Sequence, residues 1–208
     1  MLSTGEIDLI RKGCGELDEA GLTAFSSAAV RRVLPVYQVY SESNKTIRGY
    51  GPTYDALVAT TRLFRGELDL NFAKVRTIVE TALKYLEADF ATIYGRVIFD
   101  LPETVAVEVV NAAIAVLNGW KNSSVDERFR AVICALEVDM VWVEETAGEV
   151  TAWERLTTQF QQQVRDLEEL RSVDLVTAVH TYKTVTYRSE REGMPYLNGM
   201  EELMKRSG

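Results

Sequence analysis

The chain has 208 residues, a hydrophobic fraction of 47% and a formal net charge of −8. This length suits one domain that buries roughly 70% of its unfolded surface, so stability requires neither a metal nor a disulfide. The negative charge argues against binding along a nucleic-acid backbone, which needs a concentrated basic surface. It favours solubility or a basic partner.

The chain start and the cysteines indicate a reducing compartment. Residues 1–9 include Glu6 and Asp8 and have no apolar core, so no signal peptide is predicted. Cys14 and Cys134 form no metal motif, and Cys134 lies in an apolar helical pattern where a free thiol packs as a small hydrophobe. We expect a cytoplasmic protein.

Two helices are predicted at the start of the chain. Ser3-Thr4-Gly5-Glu6 has the form of a capping box and begins a short helix that ends near Gly13 or Gly15. A longer helix follows over 17–40, because apolar residues recur there at spacings of three and four. Pro35 lies inside this run and is expected to kink or break it.

A polar loop over 41–51 separates these helices from the next pair. Gly51-Pro52 begins a third helix, which is expected to end at Gly66. Asp69 is the expected N-cap of a long fourth helix. One apolar row predicts the buried side of that fourth helix: Phe72, Val75, Val79, Ala82, Leu86 and Ile93.

The most apolar stretch runs over 102–118, where Glu108 and Asn111 are the only polar residues between positions 105 and 117. This stretch is too apolar for a surface helix, which would show one apolar stripe and a broad charged face. It is also too short and too interrupted for a membrane span, which takes roughly 20 apolar residues. Pro102 suits a first helical turn and Gly119 suits an exit. We therefore predict a central helix that other helices surround.

Two further capping boxes predict the helices that follow. Ser124-Val125-Asp126-Glu127 begins a largely buried helix that runs to about Thr146. Thr151-Ala152-Trp153-Glu154 begins a helix with a narrow apolar stripe over 153–170, and Asp166 falls on its opposite, polar side. This pattern predicts a surface helix, or one that pairs with another helix through the stripe.

The end of the chain is ambiguous. Residues 173–187 are rich in Val and Thr, which favour strands, but a single strand would lack a pairing partner, so we predict a helix. A turn is expected over 193–199 and a last short helix over 200–206. The predicted fold is all-α, a single-domain bundle of about seven to nine helices over 1–208. Residues 193–208 form either its last part or a short appendage.

The sequence lacks the common catalytic and cofactor motifs. His180 is the only histidine and has no partner motif, so it is interpreted as a structural or surface residue. Gly49-Tyr50-Gly51-Pro52 lacks the features of a phosphate loop. Glu16-Leu17-Asp18-Glu19 resembles half of the metal site of all-α nucleotide hydrolases, but no Glu-x-x-Asp follows. We predict no catalytic residue, no metal ligand and no cofactor.

Charged clusters are the remaining candidates for a binding site. The acidic group at 144–149 lies at a predicted helix C-terminus, where the helix dipole disfavours negative charge, so it is either tolerated or kept for a partner. Four arginines on neighbouring helices either neutralise internal carboxylates such as Glu108 or form an anion site. These arginines are Arg31, Arg32, Arg62 and Arg65.

Two segments in the first third of the chain carry a family resemblance. Residues 28–37 read Ala-Ala-Val-Arg-Arg-Val-Leu-Pro-Val-Tyr, and after a polar loop come Tyr-Asp-Ala-Leu at 54–57 and Thr-Arg-Leu-Phe-Arg-Gly-Glu-Leu at 61–68. This part of the chain, about 28–68, resembles the all-α immunity proteins of bacterial polymorphic toxin systems, in particular the fifth immunity family. Those proteins carry a similar Arg-Val-Leu-Pro phrase, a polar loop, and a helix that ends in an aromatic, a basic residue, Gly and Glu.

The resemblance implies a non-catalytic protein that binds and neutralises a cognate basic toxin, often a nuclease, through an acidic surface. That family is also associated with an acidic-Arg dipeptide, which occurs here at 127–128, 154–155 and 190–191, so the dipeptide does not choose between them. The predicted partner-binding residues are Glu144, Glu145, Glu149, Asp126, Glu127 and Arg128.

Two other hypotheses belong to different classes. A metal-dependent all-α hydrolase would bring Glu16, Glu19 and other acids together in a pocket. A helical scaffold would form a homodimer through the stripe over 153–170. No nucleic acid and no membrane is predicted as a partner.

Overall fold

The computed structural model describes residues 2–64, 70–95, 101–146, 149–173 and 177–207. Eight helices and no strand occur in these ranges, which confirms the predicted all-α bundle of seven to nine helices. In chain order they are α1 (Thr4–Glu16), α2 (Glu19–Ser43), α3 (Tyr50–Phe64), α4 (Phe72–Tyr94), α5 (Leu101–Lys121), α6 (Val125–Thr146), α7 (Glu149–Arg171) and α8 (Ala178–Ser207).

The predicted central helix is α5, which packs against α2, α4 and α6. By length and composition alone α5 would be able to cross a membrane, but 61% of its apolar window is buried within the bundle. The expected exit at Gly119 is wrong, because α5 continues to Lys121. A Cβ on Gly119 would lie 2.5 Å from Arg128 Cγ, so this glycine admits the first turn of α6.

The capping predictions had mixed outcomes. The capping box at Ser3 is confirmed, since Ser3 and Glu6 each bind the other's backbone N–H. Ser124 Oγ accepts a hydrogen bond from Glu127 N at 3.3 Å. The box at Thr151 is wrong, because α7 begins at Glu149 and Thr151 lies inside it. Asn71 caps α4, while the predicted cap Asp69 and the predicted helix end Gly66 lie outside the described residues.

Pro35 does not break α2, which runs unbroken from Glu19 to Ser43. Proline lacks the N–H that would bind the Arg31 carbonyl one turn earlier. The backbone of α8 passes beside this carbonyl: a Cβ on Gly193 would lie 3.2 Å from Arg31 O and 2.7 Å from Arg32 O. Packing of α8 along α2 therefore covers the position in α2 where this hydrogen bond is missing.

The C-terminal segment is a single helix, α8. The helix predicted within 173–187 is confirmed for 178–187, and residues 174–176 lie outside the described ranges. The turn predicted at 193–199 and the separate helix at 200–206 are wrong, because α8 continues through Gly193, Pro195 and Gly199. Glycine and proline are local signals, and packing against α2 overrides them here.

The loop between α2 and α3 is held by one buried carboxylate. Asp89 of α4 accepts hydrogen bonds from Tyr37 Oη, from Arg48 N at 3.1 Å and from Gly49 N at 2.6 Å. Burial and this carboxylate together raise the pKa of Tyr37 above its ordinary value. Because α2 extends to Ser43 and α3 begins at Tyr50, the loop is shorter than the predicted 41–51.

Two aromatic side chains of these helices are exposed, and for Phe72 this contradicts the row predicted for α4. Phe72, at the first position of α4, is 65% exposed and stacks on Trp120 with ring centroids 6.1 Å apart. Tyr54 of α3 is also exposed and lies under Arg31 at 5.6 Å. The rest of the row predicted for α4, Val75, Val79, Ala82, Leu86 and Ile93, is fully buried.

The close approach of α8 to α2 predicts a destabilising substitution. A Cβ in Gly193→Ala would meet the Arg32 carbonyl at 2.7 Å, and backbone cannot move aside easily. We expect the free energy of unfolding to fall by about 1–3 kcal/mol, the usual effect of overpacking, as measured by urea denaturation.

Gly15→Ala is the matched control, since nothing lies within 4 Å of a Cβ there. A helical Gly→Ala change at an open position should stabilise the protein by about 0.5–1 kcal/mol. Equal effects of the two substitutions would contradict the close helix approach.

Both cysteines are free and buried, which predicts slow thiol chemistry. Burial raises the pKa of Cys14 to about 12, and burial together with Glu137 and Glu108 raises the pKa of Cys134 to about 11. The folded state therefore holds these protons more tightly than the unfolded state, so stability present below the ordinary thiol pKa is lost as pH rises towards 11–12.

We expect neither thiol to react with a disulfide reagent at pH 8 in the folded protein, and both to react in urea. The variant Cys134→Ala separates the two signals. Reaction in the folded state at the rate measured in urea would contradict the described burial.

Candidate functional site

A buried ion-pair network joins α2, α7 and α8. Arg32 of α2 and Asp166 of α7 are both 0% exposed, and Arg32 Nη2 donates to Asp166 Oδ2. Arg32 Nε also donates to Glu192 Oε2 of α8 at 2.8 Å. A fully buried arginine needs nearby carboxylates because transferring its charge out of water is costly. This network therefore fixes where the three helices meet.

Arginines from α7 and α8 extend the network towards the surface. Arg165 Nη2 donates to Glu192 Oε1 at 2.7 Å, and Arg188 donates to Asp166 and, at 2.8 Å, to both carboxylate oxygens of Glu169. Partial burial of Arg188 disfavours its charge, but the bonds to Glu169 and Asp166 prevail and raise its pKa above the ordinary value.

The predicted position of Asp166 on an outer, polar side of α7 is wrong. Gln159, Gln163 and Asp166 recur at spacings of four and three and are all buried, so α7 has a buried polar row as well as its buried apolar stripe. The sequence shows these polar residues at helical spacing, but the same spacing occurs on a solvent-exposed face, so the sequence of α7 alone does not reveal that they are buried.

The arginines of α2 neutralise internal carboxylates, which was one of the two predicted roles. Arg31 Nη1 donates to Glu190 Oε1 at 2.8 Å, and Arg32 pairs as described above. Their partners lie on α7 and α8, whereas the sequence suggested Glu108 of α5. Arg62 has a partner of its own, and Arg65 lies outside the described residues.

A cavity of about 350 Å³ opens between α7 and α8 beside this network. Glu192 belongs both to the cavity wall and to the network, and Gln159 of the cavity wall lies on the same helix as Asp166. The described lining residues include two glutamates, Glu154 and Glu192, and neither lysine nor arginine. The cavity is therefore rich in hydrogen-bond acceptors.

Three of the predicted partner-binding residues lie in the first turn of α6. Asp126 is exposed and Glu127 is half-buried. Arg128 is 0% exposed: it donates to the Gly119 carbonyl at 3.1 Å and pairs with Glu19 in the first turn of α2. Arg128 thus holds two acidic helix starts together from inside, and its guanidinium is not at the surface.

The other predicted partner-binding residues are Glu144, Glu145 and Glu149. Their side chains lie outside the described part of the structure. The helices place them at the end of α6 and the start of α7.

The carboxylates proposed for a metal-dependent hydrolase are paired with arginines. Glu16 pairs with Arg171 at 2.7 Å and Glu19 pairs with Arg128. His180 is exposed. These contacts supply the two glutamates with cationic partners from the chain itself, as expected of structural ion pairs.

One mixed group of potential ligands lies between α5 and α6. The ligand atoms of Glu108, Cys134 and Glu137 all lie within 4.8 Å of one another. A metal would need the Cys134 thiolate, but burial raises the pKa of this thiol to about 11. Burial and Glu108 also raise the pKa of Glu137. In the metal-free protein the Cys134 thiol is therefore protonated at neutral pH, and a metal ion would have to displace that proton.

The apolar stripe proposed for a homodimer is largely covered by the chain itself. Leu156, Leu167 and Leu170 are buried within the bundle. Trp153, at the start of the stripe, has a side chain outside the described part of the structure. Among the described residues, the stripe therefore serves intramolecular packing.

The buried charged residues of the described ranges are nearly balanced in sign. Within the described ranges, the buried charged residues are three arginines and two aspartates, so this set carries one net positive charge. Since the whole chain carries −8, all other residues together carry −9. The five members of the buried set are Arg31, Arg32, Arg128, Asp89 and Asp166.

Comparison with known proteins found no matching family model, no matching curated protein and no matching solved structure.

The buried network predicts a large effect of one isosteric change. Asp166→Asn keeps the shape of the side chain but removes the charge that Arg32 and Arg188 share. We expect the free energy of unfolding to fall by about 3 kcal/mol, because breaking a buried ion pair leaves an uncompensated charge. Thermal and urea denaturation would measure it.

The control is Glu168→Gln, an exposed carboxylate on the same helix. A surface change of this kind should stay within about 0.5 kcal/mol. If Asp166→Asn were as mild as this control, the network would not be the anchor of α7 and α8.

Proposed function

We propose that this protein is a non-catalytic binding protein, and most specifically a bacterial cytoplasmic immunity protein that neutralises a cognate basic toxin. The observation that carries the proposal is the net charge of −8, to which the buried charged residues of the described chain contribute one positive charge. A toxin that handles nucleic acid is usually basic, and opposite charge speeds encounter and suppresses wrong partners.

The first turns of α2 and α6 are joined by an ion pair and carry Glu19, Asp126 and Glu127. Arg128 binds Glu19 from within, and Asp126 and Glu127 precede it in sequence. Helix N-termini favour acidic residues for structural reasons as well, so exposure of Asp126 is the feature that a partner would use. Neutralisation would occur by occlusion, with no chemistry performed by this chain.

The segments that resemble the fifth immunity family lie mainly in α2 and α3. Arg31 and Arg32 of the Arg-Val-Leu-Pro phrase hold α7 and α8 through Glu190, Asp166 and Glu192. In this chain the phrase therefore has a structural role, and the proposed contact surface lies elsewhere.

The direct test is co-expression with the product of the adjacent upstream gene, followed by affinity purification at increasing salt. We expect a stoichiometric complex that rescues growth and weakens as salt rises, since exposed charges are screened. A stable complex that leaves the toxin fully active would contradict immunity. Absence of both complex and rescue would remove the proposal.

Charge reversal would locate the contact surface. The double variant Asp126→Lys/Glu127→Lys should weaken the complex by about tenfold or more, mainly through slower association. The control Glu201→Lys/Glu202→Lys makes the same change of net charge at exposed positions of α8. Circular dichroism would check that both variants fold, and equal weakening would place the contact outside the start of α6.

A further inference from the structure

The cavity between α7 and α8 lies beside polar atoms that lack partners. Gln159, which lines the cavity, is 2% exposed, and its Oε1 has no hydrogen-bond partner. One turn further along α7, Gln163 is fully buried and neither of its amide atoms has a partner. Three arginine nitrogens of the network, Arg32 Nη1, Arg165 Nε and Arg188 Nε, also lack partners, but none of these arginines is among the described residues that line the cavity.

Such a concentration of unsatisfied groups is unusual. Buried side-chain polar atoms in folded proteins are nearly always hydrogen-bonded to protein, to ordered water or to a ligand. The orientation of the Gln159 amide is settled by its neighbour, since Nε2 donates to the Ala135 carbonyl at 3.4 Å. Turning the amide over would place two oxygens together, so the Gln159 oxygen remains an acceptor that needs a donor.

The cavity wall determines what kind of donor fits. Glu154 is exposed and forms no ion pair within the described part of the chain. Each oxygen of Glu192 accepts one arginine N–H, and a carboxylate has about four acceptor sites, so both oxygens can accept more. Pro195 and Tyr196 add apolar surface. Carboxylate and amide oxygens beside an apolar wall suit a cation that carries several N–H donors and an alkyl chain.

We propose that the cavity between α7 and α8 is a binding site for a small organic cation of the alkylguanidinium or alkylammonium class. Glu154 supplies the negative charge, and Glu192, whose charge is shared with Arg32 and Arg165, supplies further acceptor oxygens. Gln159 supplies the oriented oxygen, and Pro195 and Tyr196 cover the alkyl chain. The volume of about 350 Å³ is larger than a single water requires. This site does not depend on the proposed immunity function.

The test uses two probes of matched shape, n-butylguanidinium and its neutral analogue n-butylurea. The side-chain amide resonances of Gln159 and Gln163 would be assigned by Gln→Leu variants and followed by two-dimensional NMR, with affinity measured by calorimetry. We expect butylguanidinium to shift both amides saturably and butylurea to bind at least about tenfold more weakly, because only the cation matches the carboxylates.

Variants at exposed positions keep the fold and locate the site. Glu154→Gln should weaken butylguanidinium about tenfold, whereas Glu168→Gln, an exposed change on the same helix, should not. Thr158→Lys should abolish binding by placing an ammonium on the same wall, and it removes only a bond to the Glu154 carbonyl within α7.

Two sources of the cation are distinguished by a third probe, a capped Gly-Arg-Gly peptide. Binding of this peptide as tightly as butylguanidinium would mean that the site accepts an arginine side chain of another protein. Binding of the free guanidinium alone would mean a small-molecule ligand. The proposal is overturned if no probe shifts the two amides at millimolar concentration, if butylurea binds equally well, or if Glu154→Gln changes nothing. Those results would mean that water alone fills the cavity.

Discussion

The structure depends on the ion pair between Arg32 and Asp166, which is fully buried where α2, α7 and α8 meet. Burying two charges is costly, and hydrophobic residues in their place would often be as stable or more so. The pair instead destabilises every arrangement of the helices in which one of the two charges is buried without its partner. Among the described residues, α7 and α8 bury fewer apolar side chains than α2 and α5, because polar residues occupy much of their inner faces. Their position is therefore specified by matched charges, while the packing of α5 among α2, α4 and α6 is specified by apolar contact.

The same choice of core residues shapes the exterior. Placing Arg31, Arg32 and Arg128 inside, with Asp89 and Asp166 as the buried acids of the described chain, removes positive charge from the surface. Carboxylates at the ends of these pairs then lie near solvent, as Glu19 does beside Arg128. Because these carboxylates are paired with the buried arginines, the acidic surface that the proposed function needs has to come from other exposed acids such as Asp126. An isolated count of acidic residues would miss this distinction.

The sequence predicted well where one local signal decided the outcome. The uninterrupted apolar run marked α5, and the spacing of a hydroxyl and a glutamate marked the start of α1 at Ser3. Errors came from residues whose local preference was overridden by packing. Pro35 lies inside α2, and the glycines at 193 and 199 lie inside α8, because those two helices pack along each other. Helix propensity describes an isolated segment. Packing against a neighbouring helix can contribute more free energy than an unfavourable propensity costs.

The cavity and its network were beyond sequence reasoning for a related reason. Gln159, Gln163 and Asp166 follow helical spacing, but this pattern is identical to that of a solvated face. The difference is made by Arg32, which lies 134 positions away from Asp166 in the chain. A polar row becomes internal only when another element presents the complementary charges, and no periodicity in α7 reports the presence of that element. The informative signal is a pair of complementary charges on different helices, here Arg32 on α2 and Asp166 on α7. Where polar residues of α7 find no partner on another helix, as Gln159 and Gln163 do, their side-chain atoms lack hydrogen bonds. At such a place a ligand can supply the missing donors and acceptors.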